Sequence, residues 1–283
     1  MKKYLLILLF VFLKLNAQNS HFELFPSGLN FFPLKANNQE ARLGILYFPN
    51  NANLKVDIGN SSDILCYHFG ENKFTMGIEF MAYALSTNYQ GRRLQIDALD
   101  GFFGGNASLA IPQESNKWLF RFRIIHNSAH FVDGHYDFQN NIWKKNVNPI
   151  PFTQDFGEVT VLHKKKNDFT TLNIYSSLGY STLVRPALIK KWWANFGSEY
   201  YFKFSDGGFF NEPLNIFFAF QVRAAGMPEY KLNYNNILGL KIGNVDEKGL
   251  VFYFDYYVGN NYFSEYYYNK IKKFGIGFFV DFL

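Results

Sequence analysis

The chain closes on Phe274-Gly275-Ile276-Gly277-Phe278-Phe279-Val280-Asp281-Phe282-Leu283, and the order of those residues decides the fold. Even positions carry Phe274, Ile276, Phe278, Val280 and Phe282, whereas odd positions carry Gly275, Gly277, Phe279 and Asp281. Side chains that alternate with a period of two belong to a β-strand, because successive residues point to opposite faces. One face is greasy and the other small or polar. The same division returns where Leu214, Ile216, Phe218, Phe220 and Val222 alternate with Asn215, Phe217, Ala219, Gln221 and Arg223. It returns again from Leu250 to Val258 and from Phe74 to Met81.

Segments of this kind cover 41–49, 53–69, 74–87, 92–111, 117–131, 153–164, 169–183, 189–204, 213–226, 231–244, 249–260 and 271–283. They predict about twelve strands, with a range of about ten to fourteen, many as long as the ~9–11 residues a tilted strand needs to cross a bilayer. The apolar face is Phe, Leu, Ile and Val. The opposite face carries Glu79, Asp97, Arg121, Arg123, Glu199, Lys203, Arg223, Lys241 and Asp255 in mid-strand. A sandwich would have to leave those charges to water on one side of each sheet. A closed antiparallel transmembrane β-barrel, with lipid outside and these nine side chains facing the lumen, satisfies both faces and leaves no unpaired edge. The fold class expected is therefore all-β.

Composition agrees. Of 283 residues, 34 are Phe and 19 Tyr, so disorder is excluded, and the single cysteine, Cys66, excludes a disulfide framework and reads as a small strand residue. Lys2-Lys3, the apolar run Tyr4 to Leu13 and Leu15-Asn16-Ala17 before Gln18 have the layout of a signal peptide cleaved after residue 17. Without Lys2, Lys3 and Lys14 the balance of 28 Lys+Arg to 23 Asp+Glu falls to 25 against 23, which argues for no nucleic-acid partner. The barrel then spans 18–283. Residues 18–40, with Pro26 and Pro33 and no clear alternation, are expected as a periplasmic or plug-like segment.

Connections alternate in length. Short turns are expected at 112–116, 165–168 and 244–248, and the opposite set holds 132–152, 184–187, the Met227-Pro228-Glu229 region and 261–270, several of which are longer. Outer-membrane barrels have short periplasmic turns and longer outer loops. The aromatic C-terminal strand also resembles the insertion signal of such barrels in general. That resemblance implies the outer membrane of a Gram-negative bacterium, with membrane lipid, lipopolysaccharide and the barrel-assembly machinery as partners.

Chemistry is concentrated in Arg121-Phe-Arg123-Ile-Ile-His126-Asn127-Ser128-Ala129-His130-Phe-Val-Asp133-Gly134-His135-Tyr136-Asp137, which holds three of the six histidines. Walker, dinucleotide-binding, C-x-x-C, H-E-x-x-H and G-x-S-x-G motifs are absent from the sequence. If Phe120 and Phe122 face lipid, His126 and Ser128 do too, about 6.7 Å apart by Cα rise. The imidazole is then placed to take the hydroxyl proton as Ser128 attacks an ester. An orienting third group would come from Asp155 on the next strand or from Asn140 in the loop. The same residues also suit polar caps at the headgroup level.

This H-x-S pattern resembles the outer-membrane phospholipase A and lipid A deacylase barrels, and the resemblance implies acyl-ester hydrolysis at the outer leaflet, with calcium in the phospholipase case. The wider R-x-R-x-x-H-x-S-x-H segment resembles a family of uncharacterised bacterial outer-membrane proteins, which implies fold and location only. No metal site is expected. His126 and His130 stand about 13 Å apart on an extended strand, and only the loop residues Asp133, His135 and Asp137 have the freedom to converge on a cation. The mixed signs of the lumen charges point to internal salt bridges, hence to a narrow barrel of structural or interaction type with no cofactor. A lipid acyl hydrolase built on Ser128 and His126, and a narrow solute channel, are the other readings.

Overall fold

In the computed structural model the chain is described over residues 20–89, 93–208 and 211–281. The signal-peptide reading of residues 1–17, and Phe282 and Leu283 of the C-terminal motif, lie outside the described residues. The strands are β1 (Ser20–Leu24), β2 (Leu43–Phe48), β3 (Asn53–Phe69), β4 (Asn72–Tyr89), β5 (Arg93–Gln113), β6 (Asn116–Phe131), β7 (Tyr136–Asp137), β8 (Ile142–Trp143), β9 (Phe152–Lys166), β10 (Thr170–Arg185), β11 (Trp192–Ser205), β12 (Leu214–Gly226), β13 (Tyr230–Ile242), β14 (Gly249–Asn260) and β15 (Lys270–Asp281).

β2 to β6 and β9 to β15 pair antiparallel in chain order, and β15 returns to β2 through Ile276–Val280 against Tyr47–Leu43. The ring of twelve strands is closed, as the alternation predicts. β7 and β8 form a small hairpin within the connection from β6 to β9. Among the described residues no helix is long and apolar enough to cross a membrane.

The two faces separate as expected. Phe120, Phe122 and Ile124 on β6, Ile216 and Phe218 on β12, Phe252 and Phe254 on β14, and Phe274, Ile276 and Phe278 on β15 are exposed outward. Their odd-numbered neighbours are buried, apart from Lys273 and Gly277, which are half-buried. Trp192 and Tyr200 point out, whereas Trp193 and Tyr201 turn inward and are buried. Inward rings fit because glycines face them. A Cβ on Gly179 would stand 2.2 Å from the Trp193 ring, and one on Gly239 would stand 2.5 Å from Phe217. The small residues of the inner face are therefore the seats of its large ones.

Among the described residues the pairing shifts register at four places, at Ile64 in β3, Asp97 in β5, Thr182 in β10 and Phe204 in β11, and the first two redirect polar side chains. At Ile64 the register of β3 against β4 shifts between Asp63 and Leu65, so Asp63 and Cys66 both face inward. Asp97 is the extra residue on β5 between Ile96, paired with Ser86, and Ala98, paired with Leu85.

The wall at β3 is shared. β2 covers Asn53–Asp57, and β1 covers Leu65–Phe69 farther along the same edge. Between β1 and β2 the chain leaves the wall and enters the lumen, where Asn30, Phe31, Leu34, Lys35, Ala36, Asn37, Glu40 and Ala41 are buried.

Candidate functional site

β6 organises the polar chemistry of both faces. Its odd positions reach the lumen. Arg121 binds Glu40 in a fork, with Nη1 donating to Oε2 at 2.9 Å and Nη2 to Oε1 at 2.5 Å. Arg123 lies 2.8 Å from Glu79 and 3.4 Å from Glu158, and donates from Nη2 to the Gln39 carbonyl at 2.9 Å. Asn106 and Asn195 donate to the remaining oxygens of Glu79 and Glu158. A planar guanidinium suits such forks, and buried charge is tolerated only when paired and hydrogen-bonded in this way.

Toward the short-turn end, Lys35 and Lys241 share Asp281 at 2.5 and 2.6 Å. Lys241 also donates to the carbonyls of Val245 and Glu247. Glu199 accepts the Lys35 backbone N–H at 2.6 Å and the Tyr201 hydroxyl at 3.1 Å. Lys203 sits at the strand end beside Asp206, and Asp255 is buried. Arg223 stacks on Trp193 at 5.0 Å, and its buried Nη1 has no hydrogen-bond partner among the described residues. Two chambers flank the 26–42 segment. One of about 60 Å³ is lined by Arg223, Gln154 and Asn235, and one of about 180 Å³ is lined by Lys117, Lys164 and Glu199.

The turn expected at 165–168 starts later, because β9 runs on to Lys166, and the inward alternation of its even positions carries Lys164 to an ion pair with Asp246. Burial would raise the Asp246 carboxyl, but Lys164, with Lys166 and Lys117 behind it, outweighs burial and holds it below the usual carboxylate range.

The even positions of β6 look outward. His126 meets Asp155, its cross-strand partner on β9, with Nδ1 2.5 Å from Oδ1. A carboxylate oxygen accepts, so Nδ1 is the donor and Nε2 is the ring nitrogen left on the outer side. The His126 ring also leans on Phe103, with centroids 4.8 Å apart. Ser128 lies two residues on, on the same face, registered against Gly101 and Thr153. Among the described residues its hydroxyl makes no hydrogen bond. Asn140 is elsewhere, in the loop after β7, where its amide is held by Asp137 at 2.9 Å. Of the two candidate orienting groups, Asp155 is the one beside the imidazole.

The loop cation set does not converge. Asp137 is turned to the backbone of Gln139 and Asn140. His135 instead folds inward over the barrel mouth, with Nδ1 2.8 Å from Asp97, Nε2 3.1 Å from the Val147 carbonyl and its ring stacked on Phe131 at 3.8 Å. The Tyr266 hydroxyl donates to Asp97 at 2.6 Å. This latch joins the loop before β9 to the loop before β15. Glu265 reinforces it by accepting the Ile150 N–H at 3.0 Å. Burial pushes the Glu265 carboxyl up to about 7, against the lowering effect of the backbone N–H donors of Ile150 and Phe131.

Sequence reasoning misses Glu40, Lys35 and Glu158 as partners of the lumen cations. Glu158 had a signal, since alternation along β9 puts it inward opposite Arg123. Glu40 and Lys35 had none, because they lie outside any periodic segment.

No protein-family model matches the chain, and no curated protein matches it. Among solved structures, the β domain of the Bordetella autotransporter BrkA matches at 8% identity and a TM-score of 0.43. The match covers 84% of this chain and 96% of that one.

Proposed function

We propose that this barrel is an integral outer-membrane protein of a Gram-negative bacterium that acts as a closed scaffold, meeting its partners through the latched loops and not through an open pore. The observation that carries this reading is the 26–42 segment, which occupies the lumen and is tied there by Glu40 to Arg121 and by Lys35 to Asp281. Matched charges of both signs do not build the single-sign ring that selects an ion. The outward Phe, Leu and Ile suit lipid tails, and barrel-assembly machinery would insert such a chain. The test is conductance across a planar bilayer. The intact protein is expected to give no steady steps, and Glu40→Ala, which removes the carboxylate that ties the segment to Arg121, to give intermittent ones. Steady steps from the parent would overturn the scaffold in favour of a narrow solute channel.

A second reading rests on the carboxylate-oriented His126 with Ser128 on the same lipid-facing side. In that reading Nε2 takes the Ser128 proton while Oγ attacks an acyl ester, and the same proton then goes to the leaving alkoxide. Calcium does not fit the residues present. The ion takes ~6–8 oxygen ligands, Gly101 and Thr153 beside Ser128 bring no carboxylate, and Asp155 is engaged by His126. The hydrolase reading expects fatty acid released from phospholipid or lipid A by the parent and not by Ser128→Ala. A parent that releases none removes it.

A further inference from the structure

β1 and the end of β3 place four side chains of metal-binding type on one face. Glu23 is registered against Cys66 and His21 against His68, and each strand contributes residues two apart. Directly opposed residues on antiparallel strands hold their Cβ atoms ~4.5–5.5 Å apart, close enough for the tips to meet. They do meet. His68 Nε2 lies 3.2 Å from Cys66 Sγ and 3.1 Å from Glu23 Oε2, and all three donor atoms fall within 4.8 Å of one another. His21 stacks flat on the His68 ring, with centroids 4.3 Å apart and planes 7° apart, and fixes its plane.

We infer that Glu23, Cys66 and His68 form a zinc site that staples β1 to the barrel wall. Zinc takes a thiolate at ~2.3 Å and imidazole or carboxylate at ~2.0–2.2 Å, in a tetrahedron whose donors stand roughly 3.4–3.6 Å apart. His68 Nε2 needs to draw back by only a few tenths of an ångström from Cys66 Sγ and Glu23 Oε2 to admit the ion, and those two atoms already lie within 4.8 Å of each other, with water in the fourth position. A thiolate–imidazole pair selects against calcium and magnesium, which prefer oxygen ligands alone. The Ile64 bulge sets the phase of the site, since unbroken alternation from Asp63 through Ile64 would turn Cys66 and His68 outward. Binding releases the Cys66 thiol proton.

The position gives the ion something to do. β1 has only five residues, its Phe22 and Leu24 are exposed, and the chain turns into the lumen directly after it. A bond between β1 and β3 anchors the root of the lumenal segment.

The experiment loads the full chain, purified in detergent under reducing conditions, with zinc, dialyses it against metal-free buffer and measures retained metal. One zinc per chain is expected in the parent, with at least ten-fold weaker retention in Cys66→Ser and in His68→Ala. Cobalt in place of zinc is expected to give a thiolate-to-cobalt absorption band that Cys66→Ser lacks. Heat-dependent gel mobility identifies the variants that remain folded barrels, and only those are compared. A parent that retains no zinc, or folded variants that retain as much as the parent, overturns the site.

Discussion

His126 and His135 each set Nδ1 against an aspartate, at 2.5 Å from Asp155 and 2.8 Å from Asp97, and the likeness ends there. The His126 pair is on the outer surface, with side chains 35% and 41% exposed, and its Nε2 faces no acceptor among the described residues. The His135 pair is 0% and 3% exposed, and its second nitrogen is taken by Val147. The same two residue types make a reactive-looking imidazole in one place and a structural rivet in the other. Which one results depends on whether the second ring nitrogen is free and whether solvent can reach it. A buried pair with every polar atom satisfied holds loops together, whereas an exposed pair contributes little to stability and is available for chemistry.

Cutting the rivet should have the largest effect. Asp97→Ala leaves the His135 ring and the Tyr266 hydroxyl without their shared acceptor, and uncompensated burial of this kind costs roughly 3–5 kcal/mol. Faster amide exchange is expected through 132–151 and 261–269. Unchanged exchange would mean that the contrast between the pairs is one of appearance only.

The next effect depends on pH. Glu265 sits beside the rivet with a carboxyl at about 7, above the ordinary value near 4.5, so the folded loop favours its neutral form. The stabilisation is complete below about pH 4.5 and lost as pH rises through 7, amounting to up to about 3 kcal/mol. Protection of 261–269 relative to the intrinsic base-catalysed exchange rate should therefore fall between roughly pH 5 and 8, and Glu265→Gln should flatten that profile. A variant that keeps the parent's pH dependence would assign it to another group.

The smallest effect belongs to the outer pair. Asp155→Ala should lower the unfolding free energy measured by urea titration by no more than about 1 kcal/mol, as for other exposed ion pairs. A loss as large as that of Asp97→Ala would erase the distinction.

These differences mark what could be read from the chain alone. Alternation of two predicts β6 with Arg121 and Arg123 inward and His126 and Ser128 outward, and it predicts the closed ring, because a strand's faces are a local property of its sequence. The partner of Arg121 is not local. Glu40 lies 81 residues away in a stretch without periodicity, and only the folded lumen brings the two together. Bulges hide the rest. Asp97 looks like one more lumen charge until the extra residue in β5 points it at His135. Cys66 looks like a small strand residue until the bulge at Ile64 turns it toward Glu23 and His68.

The lumenal segment has no free end. It leaves the wall after Leu24 and rejoins it at Leu43, so it is a loop stitched into the seam and cannot diffuse out as a bound peptide would. Both of its ends are covalently part of the wall, so the plug travels with the barrel that holds it, and the molecule carries its own stopper in a fixed ratio of one to one.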